Sequence, residues 1–298
     1  MCASHRLRHA PRLSKQPHPS PQRERRMSKP DSSFHVLSWP KTLAGEGHEA
    51  ASRQHAASFR PAPHLAADQV HVWTLKDYPA DIAACASLLS REELDRASRF
   101  RFPHLFDRFV ADHGRLRLLL GAYLETDPRS LVFAVNAFGK PRLEKPHCHL
   151  RFNMSHSLAV TMVAVCLDAE IGIDVEAVRP VTEWVSIASS HFSAIENEAL
   201  AALPEEESIP AFFRCWTRKE SFIKAKGTGL SLPLHSFSVS TAPGAPPALL
   251  HCDWDTHEGP RWSLSHLEPE PGYVGSLALE RKGWSTLYFA WPESEVTL

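Results

Sequence analysis

Two segments about forty residues apart constrain this chain more than anything else in it: Ile171-Gly-Ile-Asp-Val-Glu176 and Phe213-Arg-Cys-Trp-Thr-Arg-Lys-Glu-Ser-Phe-Ile-Lys224. In the first, Ile171, Ile173 and Val175 alternate with Gly172, Asp174 and Glu176. A strand sends residues two apart to the same side, so Asp174 and Glu176 lie side by side on one face. In the second, Phe213, Trp216, Glu220 and Lys224 recur at helical spacing, which puts Glu220 and Lys224 one turn apart on a stripe that Phe213 and Trp216 turn inward. An inward Glu is costly to bury without a cation beside it. Two carboxylates on a strand facing a Glu and a Lys on a helix make a site for a hard cation and a phosphate. Taken singly, each segment has an ordinary explanation, an exposed i, i+4 pair worth about half a kcal/mol or less or a strand-end turn. Their combination is what points to chemistry.

The 298 residues suffice for one large domain or two small ones, and 43% hydrophobic with 22% charged residues is ordinary for a globular chain. No apolar run is long enough to span a bilayer, so no membrane is expected as a partner. The six cysteines lack any Cys-x-x-Cys spacing and predict buried thiols in a reducing compartment. His147-Cys148-His149 has no second ligand pair nearby and is not read as a zinc site. Residues 1–30 carry eight Lys or Arg and one acid, so +7 of a total of −1 sits there and −8 falls on the rest. An acidic body does not indicate nucleic acid as a partner.

Residues 1–66, rich in Pro, Arg, His and Ser, read as a disordered extension. A transit peptide, or a start at Met27, remains open. Beyond them a strand is expected at 70–75, short helices at 82–89 and 92–100, a long helix at 106–124, and strands at 131–135, 150–154 and 160–167. The order recurs: a strand at 170–175, helices near 182–189 and 194–203, a long helix over 209–226 closed by Gly227, and strands at 237–240, 262–266 and 273–280. The expectation is an α+β protein of two similar, pseudo-symmetric α/β subdomains, residues 67–169 and 170–298, with the active site in the cleft between them.

Gly139-Lys-Pro141, Phe152-Asn-Met-Ser-His-Ser157, Gly172-Ile-Asp-Val-Glu176 and Trp216-Thr-Arg-Lys-Glu-Ser-Phe-Ile-Lys224, followed by Gly227-Thr-Gly-Leu-Ser-Leu-Pro-Leu234, stand in one order and spacing. Over about residues 70–237 the chain thereby resembles the Sfp-type 4′-phosphopantetheinyl transferases. The resemblance implies transfer of the phosphopantetheine arm of coenzyme A to a serine of an acyl- or peptidyl-carrier protein, with Mg²⁺ and release of adenosine 3′,5′-bisphosphate. It implies Asp174, Glu176 and Glu220 as metal ligands, Glu220 as acceptor of the serine proton, and Lys224 on a phosphate. It also implies Lys140, Ser155 and His156 on the phosphates of coenzyme A, with His156 just past its strand. Arg96, with Arg99 as the alternative, is the expected grip on the 3′-phosphate, while His113 stands where many relatives carry an arginine and Arg117 keeps a bracing position. A cytoplasmic monomer is expected. Rival readings are a Mg²⁺-dependent diphosphate hydrolase and a non-catalytic coenzyme A binding protein.

Overall fold

The computed structural model describes residues 62–76 and 81–291, so nearly all of the expected N-terminal extension lies outside the described residues. The chain runs β1 (Gln69–Lys76), α1 (Ile82–Leu88), α2 (Arg91–Ala97), α3 (Pro103–Leu124), β2 (Phe133–Val135), β3 (Pro141–Leu143), β4 (Leu150–Ser157), β5 (Val160–Leu167) and β6 (Ile171–Ala177). It continues through α4 (Trp184–His191), α5 (Ala194–Ala201), α6 (Glu205–Lys226), β7 (Phe237–Val239), β8 (Leu249–Cys252), α7 (Glu258–Arg261), β9 (Ser263–Leu267), β10 (Tyr273–Leu279) and β11 (Ser285–Ala290). The architecture is the expected α+β mixture of helices and sheets.

Strand order explains how the two parts fit. One sheet is ordered β11-β1-β5-β4 and the other β6-β10-β9. Within each, a first strand, a last strand and a next-to-last strand pair antiparallel in the same sequence, β1-β5-β4 and β6-β10-β9. Each part also has two short helices, a 22-residue helix and a small hairpin, β2-β3 or β7-β8. The final strand β11 pairs parallel with β1, so the end of the chain closes the first sheet rather than extending the second.

Four layers follow from the alternation of apolar residues. Val70, Val72, Met162 and Ala164 of the first sheet meet Ile171, Ile173, Val175 and Leu277 of the second. The opposite face of the first sheet carries Trp73, Leu75, Phe152 and Val163 against Leu116, Leu119 and Leu120 of α3. The opposite face of the second sheet, with Val274 and Ala278, packs on Phe222, Ile223 and Ala225 of α6.

Several expected boundaries move. β4 continues to Ser157, so His156 lies within the strand and not after it, as pairing with Thr161 of β5 shows. α6 begins at Glu205 despite Pro210. Glu205, Glu206 and Glu207 in the first turn complement the positive end of the helix dipole, and a proline this near the N-terminus removes only one intrahelical bond. β3, β8, β11 and α7 were not expected; β3, β8 and α7 are three or four residues long and have little periodicity to read.

Gly172 fixes the distance between α6 and β6. A Cβ there would stand 2.1 Å from the Ser221 carbonyl oxygen and 2.3 Å from the Ala225 nitrogen, both backbone atoms of α6. Only hydrogen on that face lets the helix lie so close to the strand. On the far side of the helix, Lys219 and Glu196 form a 2.8 Å ion pair with both side chains 0% exposed. Lys219 Nζ also donates to the carbonyls of Leu234 and Phe237 at 2.8 and 2.6 Å, which locks the rotation of α6 about its axis. Gly172→Ala is expected to lose about 3 kcal/mol of stability by forcing the helix off the strand, measured as the shift of the urea midpoint at constant slope.

Candidate active site

The side chains that face α6 from β6 are Gly172, Asp174 and Glu176, and those that face β6 from the last three turns of α6 include Glu220 and Lys224. Asp174 is 3% exposed, Glu176 4% and Glu220 3%. Lys224 Nζ donates to Asp174 Oδ1 at 2.5 Å and to Ser155 Oγ at 2.9 Å. Ser155 in turn donates to the same Asp174 oxygen at 2.9 Å, and Ser157 donates to Glu176 Oε2 at 2.8 Å.

These bonds come from the edge of β4, which runs beside β6 outside either ladder. Asn153, Ser155 and Ser157 share one face of β4, since they are two residues apart. Asn153 Oδ1 accepts the Ile173 amide at 2.8 Å and Ser157 Oγ accepts the Ala177 amide at 3.1 Å. Side chains thus take the place of main-chain partners along this seam, and the two sheets meet through polar groups instead of a continuous ladder. The sequence reading missed Asn153 and Ser157. Their signal was present as an alternating Asn-x-Ser-x-Ser pattern on a strand that also carries Leu150, Phe152 and Met154.

The three carboxylates are electrically unfavourable where they stand. Burial pushes the Glu220 carboxyl up to about 7, helped by Asp174 and Glu176 and opposed by Lys224. Glu176 also rises to about 7, by burial first and then by repulsion from Asp174, while Ser157, Lys224 and Arg179 pull it down. Asp174 is raised by burial against the pull of Lys224 and Ser155. Two oxygens, Asp174 Oδ2 and Glu220 Oε1, are buried without a hydrogen-bond partner. Buried carboxylate oxygens that nothing satisfies suit a hard divalent cation, which takes oxygen ligands. Among the described residues no three His, Cys, Asp or Glu side chains are gathered into a preformed cage. Lys224 instead supplies the positive charge beside Asp174, as mutual repulsion of the carboxylates requires.

The remaining expected residues fall into separate places. Lys140 Nζ, 14% exposed, is held by Glu170 and by the Ala225 carbonyl at 2.6 Å each, and so fastens the turn after β2 to the last turn of α6. Asn136 supports the same junction by donating to the Gly227 carbonyl at 2.7 Å. His156 lies on the opposite face of β4 from Ser155, on the side of α3. Its strand partner Thr161 donates to buried Asp112, which also accepts from Arg108. Arg96 is exposed at the end of α2, its guanidinium 5.5 Å from the centre of the Phe109 ring. Arg117 is fully engaged with Glu93 and the carbonyls of Pro128 and Leu131, the bracing position expected of it. His113 is stacked on Phe109, and burial lowers its pKa to about 4.

Comparison with known proteins places the chain among relatives of one description. Residues 170–278, which contain β6 and α6, match the family model described as the 4′-phosphopantetheinyl transferase superfamily. The 4′-phosphopantetheinyl transferase HetI of Nostoc sp. is 36% identical over 229 residues, 76% of this chain and 93% of that protein. The 4′-phosphopantetheinyl transferase Sfp of Bacillus subtilis is 35% identical over 155 residues, 51% of this chain and 66% of that protein. AcpT of Salmonella typhimurium, of the same description, is 38% identical over 78 residues, 26% of this chain and 41% of that protein.

A carboxyl whose folded pKa is raised costs stability as pH climbs from its unfolded value to its folded one, because the native state keeps a proton the unfolded chain has released. For Glu220 that window runs from 4.5 to about 7. Glu220→Gln in chelator-treated protein is therefore expected to gain on the order of 2 kcal/mol at pH 8 and little at pH 4.5. Denaturant melts at the two pH values check this.

Proposed function

The chain belongs to the 4′-phosphopantetheinyl transferase superfamily, and on that premise we propose that it transfers the phosphopantetheine arm of coenzyme A to a serine hydroxyl of an acyl- or peptidyl-carrier protein, with Mg²⁺ and release of adenosine 3′,5′-bisphosphate. The observation that carries this reading is the buried set Asp174, Glu176, Glu220, Lys224 and Ser155, in which two carboxylate oxygens have no hydrogen-bond partner.

In the reaction the serine oxygen forms a bond to the phosphorus next to the pantetheine arm, and the bond from that phosphorus to the bridging oxygen of the nucleotide breaks. Catalysis of such a step is mostly positioning and neutralisation of charge. Asp174, Glu176 and Glu220 would hold the cation, which when bound supplies positive charge to the diphosphate oxygens. Glu220 accepts the serine proton directly or through a water. Lys224 is a compact ammonium on a flexible stem, paired with Asp174, and would turn from that carboxylate to a phosphate oxygen of the bound substrate. Ser155 bonds both Lys224 and Asp174 and can turn its hydroxyl to the same phosphate. His156, Lys140 and Arg96 are assigned to the phosphates of coenzyme A. Lys140 reaches a phosphate only by leaving Glu170, so its contribution includes breaking that pair.

Residues 67–169 and 170–298 are proposed as the two subdomains, with β11 of the second crossing to pair on β1 of the first, and the enzyme is proposed to act as a monomer, without nucleic acid or membrane, in the cytoplasm. The cysteines among the described residues are free, four of them buried, which fits a reducing compartment, and no helix among the described residues is long and apolar enough to cross a membrane.

Incubation of purified apo-carrier proteins with the protein, coenzyme A and Mg²⁺ is expected to add one phosphopantetheine mass to at least one carrier, and EDTA to abolish the gain. Coenzyme A consumed without a carrier gain would point to hydrolysis instead. Glu220→Gln is expected to lose transfer by at least about a thousandfold while staying folded. Asp174→Ala is expected to shift the Mg²⁺ dependence of the rate to higher concentration; an unchanged titration would remove the strand carboxylates from the ligand set.

A further inference from the structure

The loop between β4 and β5 carries a leucine where the backbone favours glycine. Ser157 pairs with Val160, so Leu158 and Ala159 form a two-residue hairpin connection. Leu158 has φ +45°, on the left-handed side. The first position of such tight turns is one that glycine fills without steric cost, and a branched side chain is strained there. Burial could offset that strain, but the Leu158 side chain is 60% exposed.

The turn is nevertheless held firmly. Arg108 of α3 donates to the Leu158 carbonyl and is itself anchored on Asp112, a buried carboxylate that also accepts from Thr161 of β5. The Ala159 amide donates to the Tyr273 hydroxyl at 3.3 Å, and Tyr273 stands opposite Ala177 at the end of β6. Two side chains far away in sequence thus fix a strained, exposed leucine one residue beyond Ser157, whose hydroxyl is bonded to Glu176. Isolated exposed apolar residues are common and call for no explanation. One that the fold strains its backbone to present, at the edge of the reactive carboxylates, does.

We propose that Leu158 is a specificity-determining contact for the acceptor protein, seated against an apolar side chain of that protein as its serine enters the cleft. The inference rests on the transferase reading above. The charges around it state the chemistry of the partner. Arg108 lies beneath the turn, and Arg179 acts on the same Glu176 from the end of β6. An apolar contact standing over the Arg108 guanidinium fits an acceptor face that sets an apolar residue beside a carboxylate. Leu158 has no group that could ligate a cation or move a proton, so it acts on acceptor binding and not on the chemistry.

The test is steady-state transfer by wild type, Leu158→Gly and Leu158→Asp on one apo-carrier protein that the wild type modifies, with carrier and coenzyme A varied separately. Both variants are expected to raise the KM for the carrier at least tenfold while the KM for coenzyme A and the kcat at saturating carrier stay within twofold. Leu158→Gly is expected at the same time to raise Tm by a few degrees, because glycine relieves the turn; a loss of acceptor affinity in a more stable protein separates contact from misfolding. Wild-type KM for the carrier in both variants, or an equal rise in the KM for coenzyme A, overturns the acceptor contact alone. Absence of transfer by the wild type on every carrier overturns the transferase reading and this contact with it.

Discussion

Everything at the site depends on how closely α6 lies on β6. Gly172 lets two backbone atoms of the helix come within 2.3 Å of where a methyl group would stand. That approach brings Glu220 and Lys224 over Asp174 and Glu176, and it also squeezes water away from them. The same contact therefore creates the arrangement and the electrostatic tension within it. On the other side of the helix the buried Lys219–Glu196 pair prevents the helix from rotating to relieve that tension. A buried ion pair adds little net stability over apolar packing, so its value here lies in orientation.

Tension of this kind suits the cation and diphosphate proposed for the site. Carboxylates raised toward neutrality by burial are poor hydrogen-bond acceptors for one another and good ligands for a divalent ion. Lys224 answers part of the charge through Asp174, with Ser155 as the shared third member. A lysine tied to a carboxylate and a hydroxyl can give up one partner for a phosphate with small movement of its stem, whereas a fork of fixed geometry could not.

The seam between the sheets supplies the hydroxyls that hold these groups. Where β4 and β6 run together, Asn153 and Ser157 accept amides that a continuous sheet would pair with carbonyls. Side chains as spacers leave polar atoms along the edge, and Ser155 between them belongs to the site. The Asn136 and Lys140 contacts at Gly227 and Ala225 close the same seam at the far end of α6. The first part of the chain therefore contributes to the site mainly from its edge, through one strand and one turn.

The residues carrying alternation or helical period were legible in the chain by itself. Asp174 and Glu176 had to share a face because a strand repeats every two residues, and Glu220 and Lys224 had to share one because a helix repeats every 3.6. The two-part element order was legible for the same reason, down to long helices and their flanking strands. Local pattern failed where the outcome depended on distant partners. It could not show that β4 runs on through His156 and so turns that residue toward α3, because β5 supplies the pairing. It could not show that Lys140 is held by Glu170 and the end of α6, or that Leu158 sits in a turn gripped from α3 and β10. Periodicity fixes which way a side chain points from its own element, and it is a property of a few consecutive residues. What that side chain meets is decided by the packing of elements a hundred residues apart, and here only the tertiary structure brought the carboxylates, their lysine and the serine of the opposite sheet into one buried cluster.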